Sequence, residues 1–197
     1  MVCNNCVKNP VIELTNNNKK LCKKCFTNYF ERKVRKTIRV FKLINKNEKI
    51  GVAVSGGKDS LVLLYLLSKI LKNNKLIVIS IDEGIKGYRD KALERTKKLC
   101  EENKTEHHVY SYKKEIGKNL DEMVKITNKI PCSYCGVFRR NLLNKASKEL
   151  KVDKLATGHN LDDEAQTILM NQFRKNPELN ARQGPLTGVT KIKELIP

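Results

Sequence analysis

The sequence predicts an α/β fold, a parallel sheet with helices on both faces, behind a small metal-binding module. Three observations carry that prediction. A β-branched apolar run, Ile50–Val54, passes through Ser55-Gly56-Gly57-Lys58-Asp59-Ser60 into the helix-period residues Leu61, Leu64 and Tyr65 with no spacer between them. Further short apolar runs at 76–81, 106–112 and 154–157 alternate with longer helix-period stretches, the pattern of strand–helix–strand crossovers. Ahead of all this stand two Cys-x-x-Cys pairs.

In chain order, Cys3-x-x-Cys6 and Cys22-x-x-Cys25 are separated by 15 residues whose VIELTNNNKK reads as a short strand and a polar turn. Four thiolates make a closed tetrahedral site, so residues 1–27 are expected to be a structural zinc ribbon. So short a segment has too little apolar surface to fold without its ion. From Phe26 the pattern is helical, with Phe30, Val34, Ile38 and Phe41 continuing one stripe. Arg32, Lys33, Arg35, Lys36, Arg39 and Lys42 fall mainly off it. Residues 28–48 thus read as a basic linking helix whose apolar side docks and whose basic face can follow an RNA backbone; a merely solvated basic helix fits the same pattern.

Charge and cysteine usage narrow the class. Forty Lys and Arg against 21 Asp and Glu give a net charge of +19, which favours a polyanionic partner such as nucleic acid. No apolar run is long enough to span a membrane, and MVCNNC has no signal-peptide character. Seven cysteines, four of them in metal-like pairs, fit a reducing compartment, and the expected localisation is cytoplasmic with no membrane partner.

Residues 49–197 are expected to form the main domain. Where the first strand meets its helix, the leading N–H groups lack partners within the helix and the dipole adds positive potential. Gly56 and Gly57 allow close backbone approach and Lys58 adds a charge, so the turn reads as a phosphate cradle. It is not a Walker A loop: Lys58 does not directly follow the second glycine counted from Gly51, and Asp59 stands where Ser or Thr belongs. After the strand Leu76–Ile81, Asp82-Glu83-Gly84 places acids at a strand end, suited to a nucleotide sugar or a metal. Arg89–Asn103 reads as a helix with Cys100 on its inward side, a core thiol. His107 and His108, adjacent in the strand Glu106–Tyr112, point to opposite faces and cannot readily chelate one ion.

Two further strand-end segments carry chemistry. Pro131-Cys132-Ser133-Tyr134-Cys135-Gly136 leads to Arg139 and Arg140 and a helix burying Phe138, Leu142, Ala146 and Leu150. Cys132 and Cys135 near that helix start are stabilised as thiolates, although a second metal site or inert thiols fit the spacing too. After the strand Lys154–Thr157 come Gly158-His159-Asn160-Leu161-Asp162-Asp163-Glu164, in which His159, Asp162 and Asp163 are a candidate metal or base cluster; such acids also cap helices.

SGGKDS resembles the SGGxDS signature of the PP-loop ATP pyrophosphatases. Taken in order with DEGIKGYR, PCSYCGVFRR and ATGHNLDDEAQT behind the paired cysteines, it resembles the ATP-dependent tRNA 2-thiouridine synthetases, both the ribothymidine-position enzymes and the cytosolic wobble-uridine enzymes. The resemblance implies an ATP-dependent tRNA sulfurtransferase: ATP adenylates the uracil 2-oxygen and releases pyrophosphate, then sulfur replaces the oxygen and AMP leaves. It implies that Ser55, Gly56, Gly57, Asp59 and Ser60 hold the ATP phosphates with Lys58 nearby. Val54, Asp82, Gly158 and Asp162 would border the nucleotide, and Asp162 would be a catalytic or magnesium-binding carboxylate. Cys132 and Cys135 would handle sulfur, as two of three ligands of a [4Fe-4S] cluster or as a persulfide-and-disulfide pair. The implied cofactors are ATP, Mg2+, Zn2+ and that candidate cluster. The implied partners are tRNA and a sulfur donor (sulfide, a persulfide carrier or a thiocarboxylated ubiquitin-like protein), with a homodimer common in the family. Family members continue beyond the position of Pro197 with a third cluster cysteine and a second ribbon. Other readings share parts of the pattern: a 2-thiocytidine synthetase, a nitrogen-delivering adenylating ligase, or a zinc-ribbon RNA-binding protein with a non-catalytic ATP-binding domain. The paired Cys132 and Cys135 argue against the second of these, and the N-terminal ribbon against the first.

Overall fold

The computed structural model describes residues 2–126, 131–182, 184, 187–189 and 192–196. They fall into two units, Met1–Ile44 and Asn45–Pro197. In the first, β1 (Ile12–Leu14) and β2 (Lys19–Leu21) pair as an antiparallel hairpin, Ile12 opposite Leu21 and Leu14 opposite Lys19. Asn18 closes the polar turn at φ 52°, a left-handed conformation that Asn tolerates better than most residues. Cys3, Leu21 and Cys22 form a small buried cluster, with Leu14, Phe26 and Tyr29 packed on it. The thiols are therefore the centre of this core, not an attachment to it.

Helix α1 spans Lys23–Val40, so it begins before Phe26 and takes Cys25 into its first turn. The apolar stripe is not continuously covered: Phe30 and Phe41 are exposed, while Glu31 is buried. A step of four residues overshoots a full helical turn by about 40°. The stripe from Phe26 through Phe30 and Val34 to Ile38 therefore winds around the helix instead of running down one side.

The second unit alternates as the pattern predicts. Its elements are β3 (Lys49–Ala53), α2 (Lys58–Ile70), β4 (Lys75–Asp82), α3 (Arg89–Glu102), β5 (Glu106–Ser111), α4 (Tyr112–Ile116), α5 (Leu120–Ile126), α6 (Pro131–Glu149), β6 (Lys154–Ala156) and α7 (Leu161–Phe173). A 3-10 segment, Pro177–Arg182, precedes β7 (Thr187–Val189) and β8 (Ile192–Ile196). The sheet runs β5-β4-β3-β6-β8-β7 and is parallel except for β7. Helices cover both faces, the predicted fold class. On one face Ile77, Ile79 and Ile81 of β4 pack with Leu142 and Ala146 of α6, Leu155 of β6 and Tyr112. Alternation sends Val78 and Ser80 to the other.

The chain moves outward from β3 through β4 to β5, then returns to lay β6 on the opposite side of β3. That reversal opens a crevice beyond the carboxyl ends of β3 and β6, the position where open parallel sheets take ligands. Among the described residues no helix is long and apolar enough to cross a membrane.

Candidate functional site

A cavity of about 230 Å3 occupies this crevice. Ser55, Gly57, Asp59 and Ser60 form one wall, Thr157, Gly158 and His159 a second, and Glu83, Arg89 and Arg139 a third, over an apolar floor of Ala53, Ile79, Ile81 and Leu143. The wall from β3 is a rigid hydroxyl-braced turn. The Ser60 hydroxyl donates to the Gly57 carbonyl at 3.0 Å, lies 3.1 Å from the Ser55 hydroxyl and accepts from the Ser55 amide at 3.2 Å. Helix α2 begins at Gly57 with no side-chain cap, so its leading amides stay available to an anion.

Two glycines have separate reasons. Gly56 sits at φ 79°, and a Cβ there would lie 2.4 Å from the Ala92 carbonyl oxygen of α3. The close packing of α3 and the positive φ are by themselves reason for glycine there. At Gly158 a Cβ would come within 3.0 Å of the Ser60 backbone, so the end of β6 can close on the α2 start only without a side chain.

The third wall centres on Glu83, 5% exposed at the end of β4. Its Oε2 lies 3.0 Å from Arg89 Nε and its Oε1 3.1 Å from Arg139 Nε. The Arg89 contact is an ion pair whose Nε–H is not directed along a hydrogen bond. Arg89 Nη1 donates to the Ser55 carbonyl at 2.6 Å, and Arg139 Nη2 lies 3.2 Å from Cys135 Sγ. Burial works against the Arg139 charge, but Glu83 and the Cys135 sulfur outweigh it and hold its pKa above the ordinary value. Tyr112, which begins α4 instead of ending β5, is fully buried and donates to the Cys135 carbonyl at 2.9 Å. Burial first, then the Cys135 contact, pushes its phenol up, so it remains a donor.

The predicted residues therefore divide. Val54, Ser55, Gly57, Asp59, Ser60 and Gly158 line the cavity. Gly56 shapes the turn from behind. Lys58 and Asp162 are exposed at the first turns of α2 and α7, outside the cavity lining. Asp82 caps its own loop, its Oδ1 accepting from the Gly84 amide at 2.9 Å. Asp163 accepts from the Asn160 amide at 2.9 Å in a capping box that starts α7. His159 Nδ1 is 2.9 Å from the Thr157 hydroxyl. His159, Asp162 and Asp163 do not converge on one ion: the Cys3, Cys6, Cys22 and Cys25 quartet is the one group of metal-ligand atoms gathered within 4.8 Å among the described residues. Cys135 is buried in the first turns of α6; Cys132 shares that helix start, and its side chain lies outside the described residues. Sequence reasoning missed Glu83 and Arg89. The signal available was the pair of acids at the end of β4, of which Glu83 is the one that lines the cavity.

The cysteine quartet has the dimensions of a metal site. Cys6 Sγ lies 3.6 Å from Cys22 Sγ and 3.8 Å from Cys25 Sγ. Four Zn–S bonds of about 2.3 Å in a tetrahedron put sulfurs about 3.8 Å apart. Burial raises the Cys3 thiol, but the backbone amides of Cys22 and Asn5 overcome it and draw it down to about 6. Cys25 is pushed up to about 12, first by its contact with Cys22 and then by burial. Four thiolates this close cannot all ionise without a cation between them.

Fold and cavity together place the second unit in the nucleotide-binding α/β class, with a glycine-rich strand-to-helix turn at its switch point. More particularly, the chain belongs to the PP-loop domain family, whose model matches residues 26–194. It is 41% identical over 186 residues to the tRNA-5-methyluridine(54) 2-sulfurtransferase of Pyrococcus horikoshii, covering 94% of this chain and 59% of that protein. It is 39% identical over 178 residues to the cytoplasmic tRNA 2-thiolation protein 1 of Arabidopsis thaliana, covering 88% and 50%. The structure superposes on the U34-tRNA thiolase NcsA from Methanococcus maripaludis with its [4Fe-4S] cluster, at a TM-score of 0.85 and 40% identity, over 100% of this chain and 65% of that one. The chain thus spans between half and two thirds of the length of these relatives.

Proposed function

We propose that the chain is the ATP-binding and sulfur-handling part of a tRNA 2-thiouridine synthetase. The observation that carries this reading is Arg139: it lines the cavity beside the Ser55–Ser60 turn and holds Cys135 Sγ at 3.2 Å. Activation and sulfur delivery need to happen within one reach of each other, and this residue touches both regions.

In this reading the ATP phosphates lie on the amides that lead α2, steadied by Ser55 and Ser60, with Lys58 adding charge at the rim. The uracil 2-oxygen attacks the α-phosphorus, pyrophosphate leaves, and the oxygen becomes part of a phosphate ester. Sulfur then adds to C2, the C2–O bond breaks, and the oxygen departs with AMP. Asp59, on the cavity wall, and Asp162, at the head of α7, are the carboxylates assigned to Mg2+ and to proton handling. Cys132 and Cys135 would supply two ligands for an iron–sulfur cluster, which would draw a further ligand from beyond this pair and, when bound, would offer a site for incoming sulfur. Cys100 lies buried in the α3 core, where burial pushes its thiol up to about 11. Zn2+ belongs to Cys3, Cys6, Cys22 and Cys25, where the spacing fits. The partners in this reading are tRNA, a sulfur donor and a second copy of the chain, in the cytoplasm, as the name of the plant relative says of that protein.

The test is the nucleotide product. Purified anaerobically and given ATP with unmodified tRNA, the protein is expected to form AMP and pyrophosphate only when tRNA is present. ADP as the product, or AMP formation indifferent to tRNA, would count against the proposal.

A further inference from the structure

We propose that Glu83 is a positioning residue that sets the phosphate turn and the Cys135 helix start in a single geometry; this deepens the function proposed above and rests on it. The observation is how the two arginines are held. Glu83 engages both by their Nε edges, at 3.0 Å for Arg89 and 3.1 Å for Arg139. An ion pair on the Nε side draws a guanidinium toward the carboxylate while leaving its two terminal nitrogens to other partners. Arg89 spends one of them on the Ser55 carbonyl at 2.6 Å, and Arg139 spends one on Cys135 Sγ at 3.2 Å. One buried carboxylate thus orients a donor on the turn that cradles phosphate and a donor on the sulfur.

The arrangement exceeds what burial alone requires. Arg89 is 3% exposed and needs a counter-charge wherever it is placed. Arg139 needs one less: its side chain is 47% exposed and solvent reaches part of it. Its Nε nevertheless turns inward to Glu83, and among the described residues its Nη1 has no partner, which leaves that donor for a ligand in the cavity it lines. Glu83 is itself held in place, because its carbonyl accepts from the Leu120 amide at 2.8 Å. At Gly84 a Cβ would lie 2.5 Å from Asn119 Cβ, so the loop after β4 packs closely on the residue before α5.

The experiment is a double-mutant cycle between Glu83→Gln and Arg139→Gln, read as affinity for a non-hydrolysable ATP analogue and as AMP formation with tRNA. Glu83→Gln keeps the shape but turns an amide toward a guanidinium. The analogue Kd is expected to rise about tenfold and AMP formation to fall at least as much. Arg139→Gln added to it changes either quantity by less than about threefold, because that guanidinium has already lost its carboxylate. Additive effects, or an unchanged Kd in a folded Glu83→Gln protein whose only defect is a lower melting temperature, overturn the proposal. Should Glu83→Gln not fold, Glu83→Asp decides: it keeps the charge for Arg89 but is too short to reach both arginines, so the same losses are expected. Wild-type behaviour in Glu83→Asp, or failure of both variants to fold, makes Glu83 a stability residue and sinks the idea. A wild-type protein that binds the analogue but makes no AMP refutes the proposed function, while coupling in Kd still upholds the role of Glu83.

Discussion

At the scale of single residues, the turn after β3 shows why spacing can be read from sequence and direction cannot. The run Ser55 to Ser60 was legible because an apolar strand, two glycines and a helix pattern meet there without a spacer. Which of two adjacent acids faces the cavity was not legible. Asp82 and Glu83 alternate in side-chain direction at a strand end, and the choice depends on how β4 registers against β3 and how α6 lies across it. In the structure the Asp82 carboxylate accepts from the Gly84 amide while Glu83 lines the cavity. Gly56→Ala tests the packing reason for that glycine: a Cβ 2.4 Å from a backbone carbonyl, at positive φ, is expected to cost about 2 kcal/mol or more in chemical denaturation. Wild-type stability would mean that α3 yields freely. Asp59→Ala and Asp162→Ala are each expected to lower tRNA-dependent AMP formation at least about a hundredfold with retained fold. An active Asp162→Ala protein would remove that residue from the chemistry, and its place outside the cavity lining makes this the sharper of the two tests. Cys100, raised to about 11 by burial and by Glu101, keeps its proton at neutral pH. It should therefore resist iodoacetamide at pH 8 in the native protein and react once the protein is unfolded; rapid native labelling would contradict its place in the core.

Among elements, the alternation of strands and helices was readable almost throughout, because buried parallel strands must be continuous apolar runs. Arg89–Asn103 was expected as a helix and α3 ends at Glu102. The exceptions have physical reasons. Tyr112 leaves β5 to start α4 because its ring fills the core against Phe138 and its hydroxyl holds the Cys135 carbonyl. The stripe on α1 failed as a single docking face because spacings of four drift around a helix. Helix α7 could be placed by its capping residues but not by its burial: Leu161, Leu169 and Phe173 are exposed on it. Removing metal with a strong chelator is expected to abolish the helical signal of α1 and free four thiols, since Cys3, Cys22 and their neighbours are the core of that unit. Unchanged circular dichroism in a protein proven metal-free would show that the unit folds without an ion.

Over the whole molecule, charge is the property that composition displays most openly and that the fold distributes unevenly. Residues 1–44 hold eleven Lys or Arg against two acids, Glu13 and Glu31, so about half of the net +19 lies in fewer than a quarter of the residues. Binding of tRNA should weaken steeply with added salt, log affinity falling linearly with log salt concentration. Replacing Arg35, Lys36 and Arg39 together should flatten that slope by about two to three while leaving affinity for an ATP analogue unchanged. An unaltered slope would move the RNA contact away from α1.

If ATP activates a uracil oxygen at this crevice before sulfur replaces it, the fate of that oxygen records the event. With tRNA carrying 18O at the 2-position of the target uridine, the label is expected in the phosphate of AMP, one atom for each thiolation. Label retained in the tRNA or released to water, with AMP unlabelled or ADP formed instead, would contradict it.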